Sequence, residues 1–195
     1  GMKQHGHMEA VGYDLYCKML NEAVKNLKGI PTAPSDFTTT VDMDVDAYIP
    51  ASYIVNEVQK LDIYKRIAGI ENQKERDDML DELLDRFGEV PKSVDNLLRI
   101  ALIRVAAHEL FIMDIKGKNE RIQFVFRQDA NIKVEQIPEL IKKHKDYLSF
   151  TAYGNPFFTY RYYKCGVVEK DAENLLSTTE RLLQDMQELL LEKTK

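Results

Sequence analysis

The chain has 195 residues, enough for one domain of ordinary size or for one domain with a short appendage from a neighbour. Its 44% hydrophobic and 30% charged residues, with few glycines and prolines, predict a folded core and disfavour a disordered chain. The net charge of -5 disfavours a surface that neutralises nucleic-acid phosphates and favours basic protein partners.

Membrane insertion and secretion are also disfavoured. The sequence has no run of roughly 18 or more apolar residues and no signal peptide at its start, so we expect a cytoplasmic protein without membrane contacts. Its two cysteines, Cys17 and Cys165, are far apart and form no CxxC motif. We interpret them as free thiols, with a disulfide or a metal pair as the alternative.

A helix followed by a linker is predicted near the N-terminal end. Residues 11–28 carry apolar side chains at helical spacing, and the helix is expected to end at Gly29. From there to residue 38, a glycine, two prolines and hydroxyl residues without periodicity indicate a domain boundary. The apolar stripe consists of Val11, Leu15, Met19, Leu20, Ala23, Val24 and Leu27.

A strand is predicted directly after the linker. Val41, Met43 and Val45 alternate with aspartates, so one face of the strand should be buried and the other wet. Charged residues on a strand are typical of the edge of a sheet, where they discourage pairing with other chains. We therefore expect an edge strand.

Three helices are predicted next, and together they should form a compact helical subdomain. The first covers residues 52–70. Asn72 and Glu75 are spaced as a capping box for the second, and Pro91 suits the first turn of the third. The predicted buried positions are Ile54, Val58, Leu61, Tyr64 and Ile67 in the first helix, Met79, Leu80, Leu83, Leu84 and Phe87 in the second, and Val94, Leu97, Leu98, Ala101, Leu102 and Val105 in the third.

The last part of the chain mixes helices and strands. A hairpin is predicted around a GKN turn, with strands at 112–116 and 121–127, and a second hairpin around a GNP turn within 148–163. A short helix at 134–143 and a long helix at 171–192 complete the pattern. We expect an α+β fold with an N-terminal helix and linker, a three-helix subdomain, a small antiparallel sheet of two hairpins, and a long C-terminal helix. That last helix should bury Leu175, Leu182, Met186, Leu189 and Leu190.

The sequence carries no complete catalytic site. The motifs GxxxxGK[ST], GxGxxG, HExxH and GxSxG are all absent, so ATP-binding, dinucleotide-binding, metalloprotease and serine hydrolase sites are not predicted. His5 and His7 lie close together, but a metal site needs three or four ligands and no further cluster joins them. We therefore expect no catalytic residue, no metal and no cofactor in this chain.

The second predicted helix has the strongest charge pattern. Residues 71–86 contain seven acidic and three basic residues. Glu75, Asp78, Glu82 and Asp85 share the side opposite the apolar stripe. This side is either a solvated face or a docking surface for basic residues of a partner, because like charges on one face repel unless something compensates them. The docking interpretation requires that these carboxylates point outward and are not neutralised by bases of the same chain.

Aromatic and basic residues alternate in the segment TYRYYK, near the end of the second hairpin. Such mixtures can bind single-stranded nucleic acids by stacking and phosphate contacts. In a strand, Tyr160, Tyr162 and Lys164 lie on one face and Arg161 and Tyr163 on the other, so at least one row should pack in the core. Core packing is the favoured interpretation, and nucleic-acid binding is the alternative.

Several separated segments, taken in order, resemble one protein family. They are QHGHMEAVGYDLYCKMLNEAV, YIPASYI, QKLDIYKRIAGI, DELLDRFGEVP and NLLRIALIRVAAHELFI. Together they are similar to the C-terminal end of bacterial transcription-repair coupling factors, the Mfd family. The resemblance covers nearly the whole chain and weakens to a general pattern after residue 128.

The resemblance implies that the chain is a fragment. In that family, a UvrB-like N-terminal module, an RNA-polymerase-binding module and a RecG-like ATP-driven DNA translocase precede the terminal domain. Gln4, His5 and Gly6 resemble the Gln-Ser-Gly of the translocation motif, with histidine in place of the usual serine. Residues 1–29 would then end that motif, 30–37 would form a linker, and 38–195 would form the terminal regulatory domain, the TRCF domain. ATP and Mg are expected only in the parent motor.

The resemblance also implies a function. The terminal domain of this family packs against the protein's own UvrB-like module and masks the surface that recruits the repair protein UvrA, until stalled RNA polymerase and duplex DNA release it. The family's DE-L-x-DRFG pattern is present here. Glu82 and Asp85 are therefore the first candidates for salt bridges with arginines of that module, with Arg86 in support. Glu75 and Asp78 extend the same acidic face.

Two other classes of function stay open. A DNA-contacting accessory module of a helicase would bind duplex DNA with an affinity that falls steeply with salt, which the acidic charge disfavours. An independent enzyme would need a nucleophile and a base, or perturbed carboxylates, within reach of one another, and the sequence offers no candidate. A regulatory interaction module therefore ranks first.

Overall fold

The computed structural model describes residues 37–190, which belong to two compact units. Unit 1 contains Val45–Val105, and unit 2 contains Thr39–Asp44 together with the chain from Ala106 onward. The predicted N-terminal helix, most of the predicted linker and the translocation-motif residues 4–6 lie outside the described residues, so these predictions, like the predicted domain limits, stay predictions.

Unit 1 is helical, as predicted. Its helices are α1 (Glu57–Ala68), α2 (Gln73–Phe87) and most of α3 (Lys92–Glu109). Helix α1 begins later than predicted because Asn56 caps it, its side chain accepting a hydrogen bond of 3.0 Å from the backbone N–H of Gln59. The predicted core positions that are buried are Ile54, Tyr64, Ile67, Met79, Leu83, Val94, Leu97, Leu98 and Ala101.

The buried stripe of α1 is narrower than predicted. The prediction that Val58 and Leu61 of α1 are buried is wrong, since these side chains are 76% and 49% exposed. Leu84 of α2, also predicted to be buried, is 47% exposed. Ile63 and Ile67 are fully buried and define the inner side of α1. At about 100° per residue, position 58 falls on the opposite side of the helix, so the apolar pattern of the sequence was wider than the surface available to bury it.

Unit 2 contains a five-stranded sheet in the order β1-β2-β3-β5-β4. Both predicted hairpins are present as antiparallel pairs, and β3 joins them by pairing with β5. The α+β fold class is confirmed, but the sheet is mixed, because the predicted edge strand β1 pairs with β2 in parallel. Three helices separate β1 from β2 in sequence, and a long connection of this kind permits parallel pairing. The strands are β1 (Thr40–Met43), β2 (Ile112–Lys118), β3 (Arg121–Phe126), β4 (Leu148–Thr151) and β5 (Phe157–Arg161).

Two helices accompany this sheet in unit 2. Helix α4 (Ile137–His144) follows a single 3₁₀ turn, and α5 (Val168–Met186) continues into a 3₁₀ turn that ends at Leu189. The long C-terminal helix is confirmed, and its predicted core residues are buried except Leu190, which is partly exposed and bridges to Ile132. Within residues 37–190, no helix is long and apolar enough to cross a membrane.

The two faces of the sheet differ in character. On the covered face, His144 of α4 packs edge-on against Tyr160, with the ring centroids 5.9 Å apart. Helix α5 approaches the same face so closely that a Cβ on Gly117 would lie 3.0 Å from a methyl carbon of Leu175. The glycine near the end of β2 is therefore explained by close helix packing. Fully buried residues on the covered face are Ile115, Ile122, Phe124, Phe126 and Phe158. The other face, called here the open face, carries mostly polar and charged side chains, together with the partly exposed Val125 and Phe157.

Candidate docking surface on helix α2

Local interactions fix both ends of α2. The Asn72 side chain accepts the backbone N–H of Glu75 at 2.9 Å, as the predicted capping box requires. The Glu75 carboxylate accepts the N–H of Glu71 at 2.8 Å, one residue before the expected position. At the other end, Gly88 adopts φ +87°, a conformation that favours glycine, and donates its N–H to the Leu84 carbonyl.

The inner side of α2 is anchored by apolar contacts and by one tyrosine. Met79 and Leu83 are buried. The Tyr53 hydroxyl donates to the carbonyls of Leu83 and Gly88, at 3.1 and 2.9 Å, and its ring packs against Phe87. These contacts fix the rotation of α2 about its axis. The acidic side therefore faces outward, as predicted, with Glu75, Asp78 and Asp85 exposed and Glu82 partly exposed.

Glu82 is bound by two arginines of its own chain. Arg66 of α1 donates from both terminal nitrogens, Nη1 to Oε2 and Nη2 to Oε1, the latter at 2.8 Å. Arg86 donates to Oε2 at 3.0 Å. The hydrogen bond from Arg66 is the main cause that lowers the pKa of Glu82 to about 2; partial burial opposes it and Arg86 adds to it. Glu82 is therefore ionised at neutral pH and already paired.

The other carboxylates of the acidic face have different surroundings. Asp78 pairs with Lys74 at 2.9 Å across one helical turn, and both side chains are mostly exposed. Glu75 is engaged in the cap described above. Asp85 is exposed and has no hydrogen bond or ion pair within the described part of the chain. Asp85 is thus the carboxylate most accessible to an external base.

These contacts bear on both requirements of the docking interpretation. The carboxylates point outward, but Glu82 and Asp78 are paired with bases of the same chain. An arginine of a partner would meet Asp85 directly, and it would reach Glu82 only by sharing it with Arg66 or displacing Arg66. The role of the five residues in docking stays a prediction.

Sequence reasoning did not find Arg66. It lies 16 positions before Glu82, and no local spacing rule connects residues so far apart. The pair of Glu82 with Arg86 was visible as an i,i+4 spacing. The pairing of Arg66 with Glu82 is therefore a consequence of how α1 and α2 pack.

The Glu82 bridge should make stability depend on pH. Because its pKa is lowered from 4.5 to about 2 by folding, the bridge stabilises the fold above pH 4.5, and this contribution is lost as the pH falls towards 2. Glu82→Gln should therefore lower the free energy of unfolding by about 1 kcal/mol at pH 7, a value reduced for solvent screening, and by nearly nothing at pH 2. Urea unfolding at both pH values measures this. Asp81→Asn, at an exposed position of the same helix, is the control; a Glu82→Gln effect that is the same at both pH values would contradict the assignment.

The segment TYRYYK is divided between the two faces of the sheet. Tyr162 is 4% exposed, as core packing of its row predicts. Arg161 and Tyr163 are exposed, and Lys164 pairs with Asp44 at 3.1 Å. Cys165 is an exposed free thiol, whereas Cys17 lies outside the described residues. No group of three or more potential metal ligands occurs among residues 37–190.

Comparison with known proteins gives a consistent result. The TRCF domain family matches residues 43–137. The transcription-repair-coupling factor of Bacillus subtilis is 36% identical over 135 residues, which cover 69% of this chain and 12% of the relative. That of Staphylococcus epidermidis is 40% identical over 134 residues, which cover 67% of this chain and 11% of the relative. The chain therefore spans only about an eighth of the length of these relatives.

A solved structure resembles most of the chain. The crystal structure of the C-terminal domain of transcription-repair coupling factor has a TM-score of 0.60 and 25% sequence identity to this chain. The match covers 79% of this chain and 96% of that structure. The similarity thus extends over both helical and sheet-containing parts.

Proposed function

We propose, since this chain belongs to the TRCF domain family of transcription-repair coupling factors, that it is a non-catalytic regulatory domain that docks reversibly through the acidic face of α2. Its docking partner is the UvrB-like N-terminal module of the parent protein, an ATP-dependent DNA translocase that displaces stalled RNA polymerase. The docked domain masks the surface of that module that recruits UvrA, and so holds repair back until it is released.

The exposed carboxylate of Asp85 carries this proposal. It lies one helical turn from Glu82 on a helix whose rotation is fixed by buried side chains and by Tyr53. A surface that is already ordered loses little conformational entropy when it binds. Asp85 and Glu82 together offer two carboxylates in a defined arrangement to arginines of a partner, which bind carboxylates in a planar, two-pronged geometry.

The strength of such a contact suits a reversible mask. A ligand can open a closed state only by its differential affinity for the open one, so a mask must be weak. Each exposed charge pair contributes up to roughly 1 kcal/mol, and several pairs together fix the register of the interface. A large apolar interface of the permanent kind would not release.

The pairing of Glu82 with Arg66 lowers the net gain further. A partner arginine that binds Glu82 replaces or shares an existing ion pair, so docking exchanges one charge pair for another. Arg66 then competes with the arginine of the partner for the Glu82 carboxylate. Asp85 has no such competitor among the described residues, so it should contribute more to docking than Glu82.

Mixing this chain with the purified N-terminal module tests the proposal. The affinity should fall as salt rises to roughly 0.5 M, because screening weakens exposed charge pairs. Asp85→Asn should weaken binding at low salt by about fivefold, the loss of one exposed pair. Isothermal titration calorimetry measures both.

Asp77→Asn is the matched control, since Asp77 is exposed on the other flank of α2 and carries the same charge. Binding that does not respond to salt, or equal losses in the two variants, would exclude a charged clamp at this face. Binding of duplex DNA by the chain at low salt would instead support the accessory DNA-contact function.

A further inference from the structure

The open face of the sheet in unit 2 is a second surface with an unusual charge arrangement. Side chains alternate between the two faces, so the strand register decides which ones meet on the open face. In that register Lys118 of β2 lies opposite Arg121 of β3, and Arg121 lies opposite Arg161 of β5. Three cations therefore form one row across three adjacent strands, called here the basic row.

Such a row is unfavourable in the free protein. Residues directly opposite on neighbouring strands have Cβ atoms about 5 Å apart, and like charges in these positions destabilise a sheet. Acidic side chains can offset this repulsion, and they can come either from the chain itself or from a bound partner.

Among the residues that the structure describes, a carboxylate pairs with only one end of the basic row. Lys118 pairs with Asp42 of the neighbouring strand β1 at 2.9 Å. Arg161 donates to the backbone carbonyl of Asp146 at 3.4 Å, a long hydrogen bond. Arg121 has no side-chain hydrogen bond or ion pair to the described residues. Two adjacent guanidinium groups thus have no carboxylate partner within residues 37–190.

The strands that carry these two arginines contain no acidic residue, and of the nearby acidic residues outside them, Glu120 accepts the backbone N–H of Lys164 and Asp146 contacts Arg161 through its backbone carbonyl. The sequences of β3, β4 and β5 are RIQFVF, LSFT and FFTYR, which contain no acidic residue. Next to the basic row on the open face, Gln123, Thr159 and Ser149 lie opposite one another across the three strands. Their amide and hydroxyl groups can donate and accept hydrogen bonds beside the cations. This part of the open face is therefore basic and polar.

We propose that Arg121 and Arg161 form a docking site for carboxylates of an acidic protein segment. Each guanidinium can bind a carboxylate with two parallel hydrogen bonds. One carboxylate between the arginines, or two adjacent ones, would relieve the cross-strand repulsion. The site belongs to unit 2 and does not depend on the acidic face of α2, which belongs to unit 1.

Charge distribution favours an acidic protein segment over nucleic acid. A nucleic-acid strand carries its phosphates beyond any small patch, and on this chain of net charge -5 those phosphates would meet an acidic surface. On the open face itself, Asp42 and Asp114 lie on the β1 and β2 side of the basic row. A short segment with one or two carboxylates can pair with the arginines without reaching these acidic groups, since exposed charges act over only about 10 Å at ordinary salt.

Fluorescence anisotropy with two probes tests the site. One probe is a labelled peptide of alternating glutamate and threonine, and the other is a labelled oligothymidylate of similar charge. At low salt the peptide should bind more tightly than the oligonucleotide, and Arg121→Gln with Arg161→Gln should weaken peptide binding about tenfold, as the loss of two charge-assisted contacts implies.

Lys142→Gln with Lys145→Gln is the matched control. Both lysines are exposed and lie outside the sheet, and the two substitutions remove the same amount of positive charge. Equal weakening in the control, or tighter binding of the oligonucleotide, would overturn the proposal. Arg121→Lys keeps the charge but loses the two-pronged geometry, so it should weaken the peptide about threefold and guards against a folding defect in the double variant.

The repulsion itself gives an independent readout. Arg161→Gln alone should raise the urea midpoint of the free chain, because it removes one of two opposed cations. Saturation with the glutamate peptide should raise the midpoint of the unmodified chain more than that of the variant. A variant with a lower midpoint than the unmodified chain would show that the two arginines do not repel, and the inference would fail.

Discussion

Replacing Glu82 and Asp85 together by alanine is expected to raise the affinity of the full-length parent protein for UvrA by up to about thirtyfold. Two exposed ion pairs, each contributing up to roughly 1 kcal/mol, would no longer hold the masking domain in place. The open state then becomes more populated, and UvrA binds it without first having to displace the domain. The fold should persist, because neither side chain is buried.

UvrA binding by surface plasmon resonance measures this effect. Glu135→Ala with Glu139→Ala is the control, since both glutamates are exposed, lie in unit 2 and change the net charge equally. The stability of each variant is also measured by urea unfolding, because loss of the ion pair between Arg66 and Glu82 should lower the free energy of unfolding by about 1 kcal/mol. An unchanged affinity for UvrA in a folded Glu82 and Asp85 variant would refute the masking role of α2.

Phe124→Ala should lower the free energy of unfolding by about 3–5 kcal/mol, the largest effect on stability that we expect. Phe124 is fully buried on the covered face of the sheet, opposite Ile115 on one neighbouring strand and Phe158 on the other. Removing the ring leaves a cavity among rigid strands, which cannot collapse to fill it.

Urea unfolding monitored by circular dichroism gives the free energy. Phe157→Ala is a matched control, because Phe157 is partly exposed on the open face and should lose less than half as much. A loss below about 1 kcal/mol for Phe124→Ala would show that the covered face is not the core of this unit. Phe124→Leu provides a milder variant if the alanine variant does not fold.

Much of the local structure could be predicted from patterns within about four residues. The spacing of Asn72 and Glu75 predicted the start of α2, and short turn motifs predicted both hairpins. Each of these features depends on hydrogen bonds between residues close in sequence, which is why the residue types reveal them. The outward direction of the acidic face followed from the same periodicity.

Features that depend on distant segments were missed. The parallel pairing of β1 with β2 joins residues more than 70 positions apart, and its direction left no signal in either strand. The exposure of Val58 is a similar case, because only the packing partners of α1 decide which apolar residues are covered. The pattern supplied apolar positions, but it did not supply the surface against which they pack.

The candidate surfaces show the same division. By itself, the sequence determined that α2 has a dense acidic face, because helical spacing alone places its carboxylates on one side. Only the tertiary structure decided that Arg66 binds Glu82 while Asp85 lacks such a partner among the described residues, and that Arg121 lies opposite Arg161. The physical reason is that charge pairing acts over a few ångströms in space, and helix packing and strand register, which set those distances, join segments that are far apart along the chain.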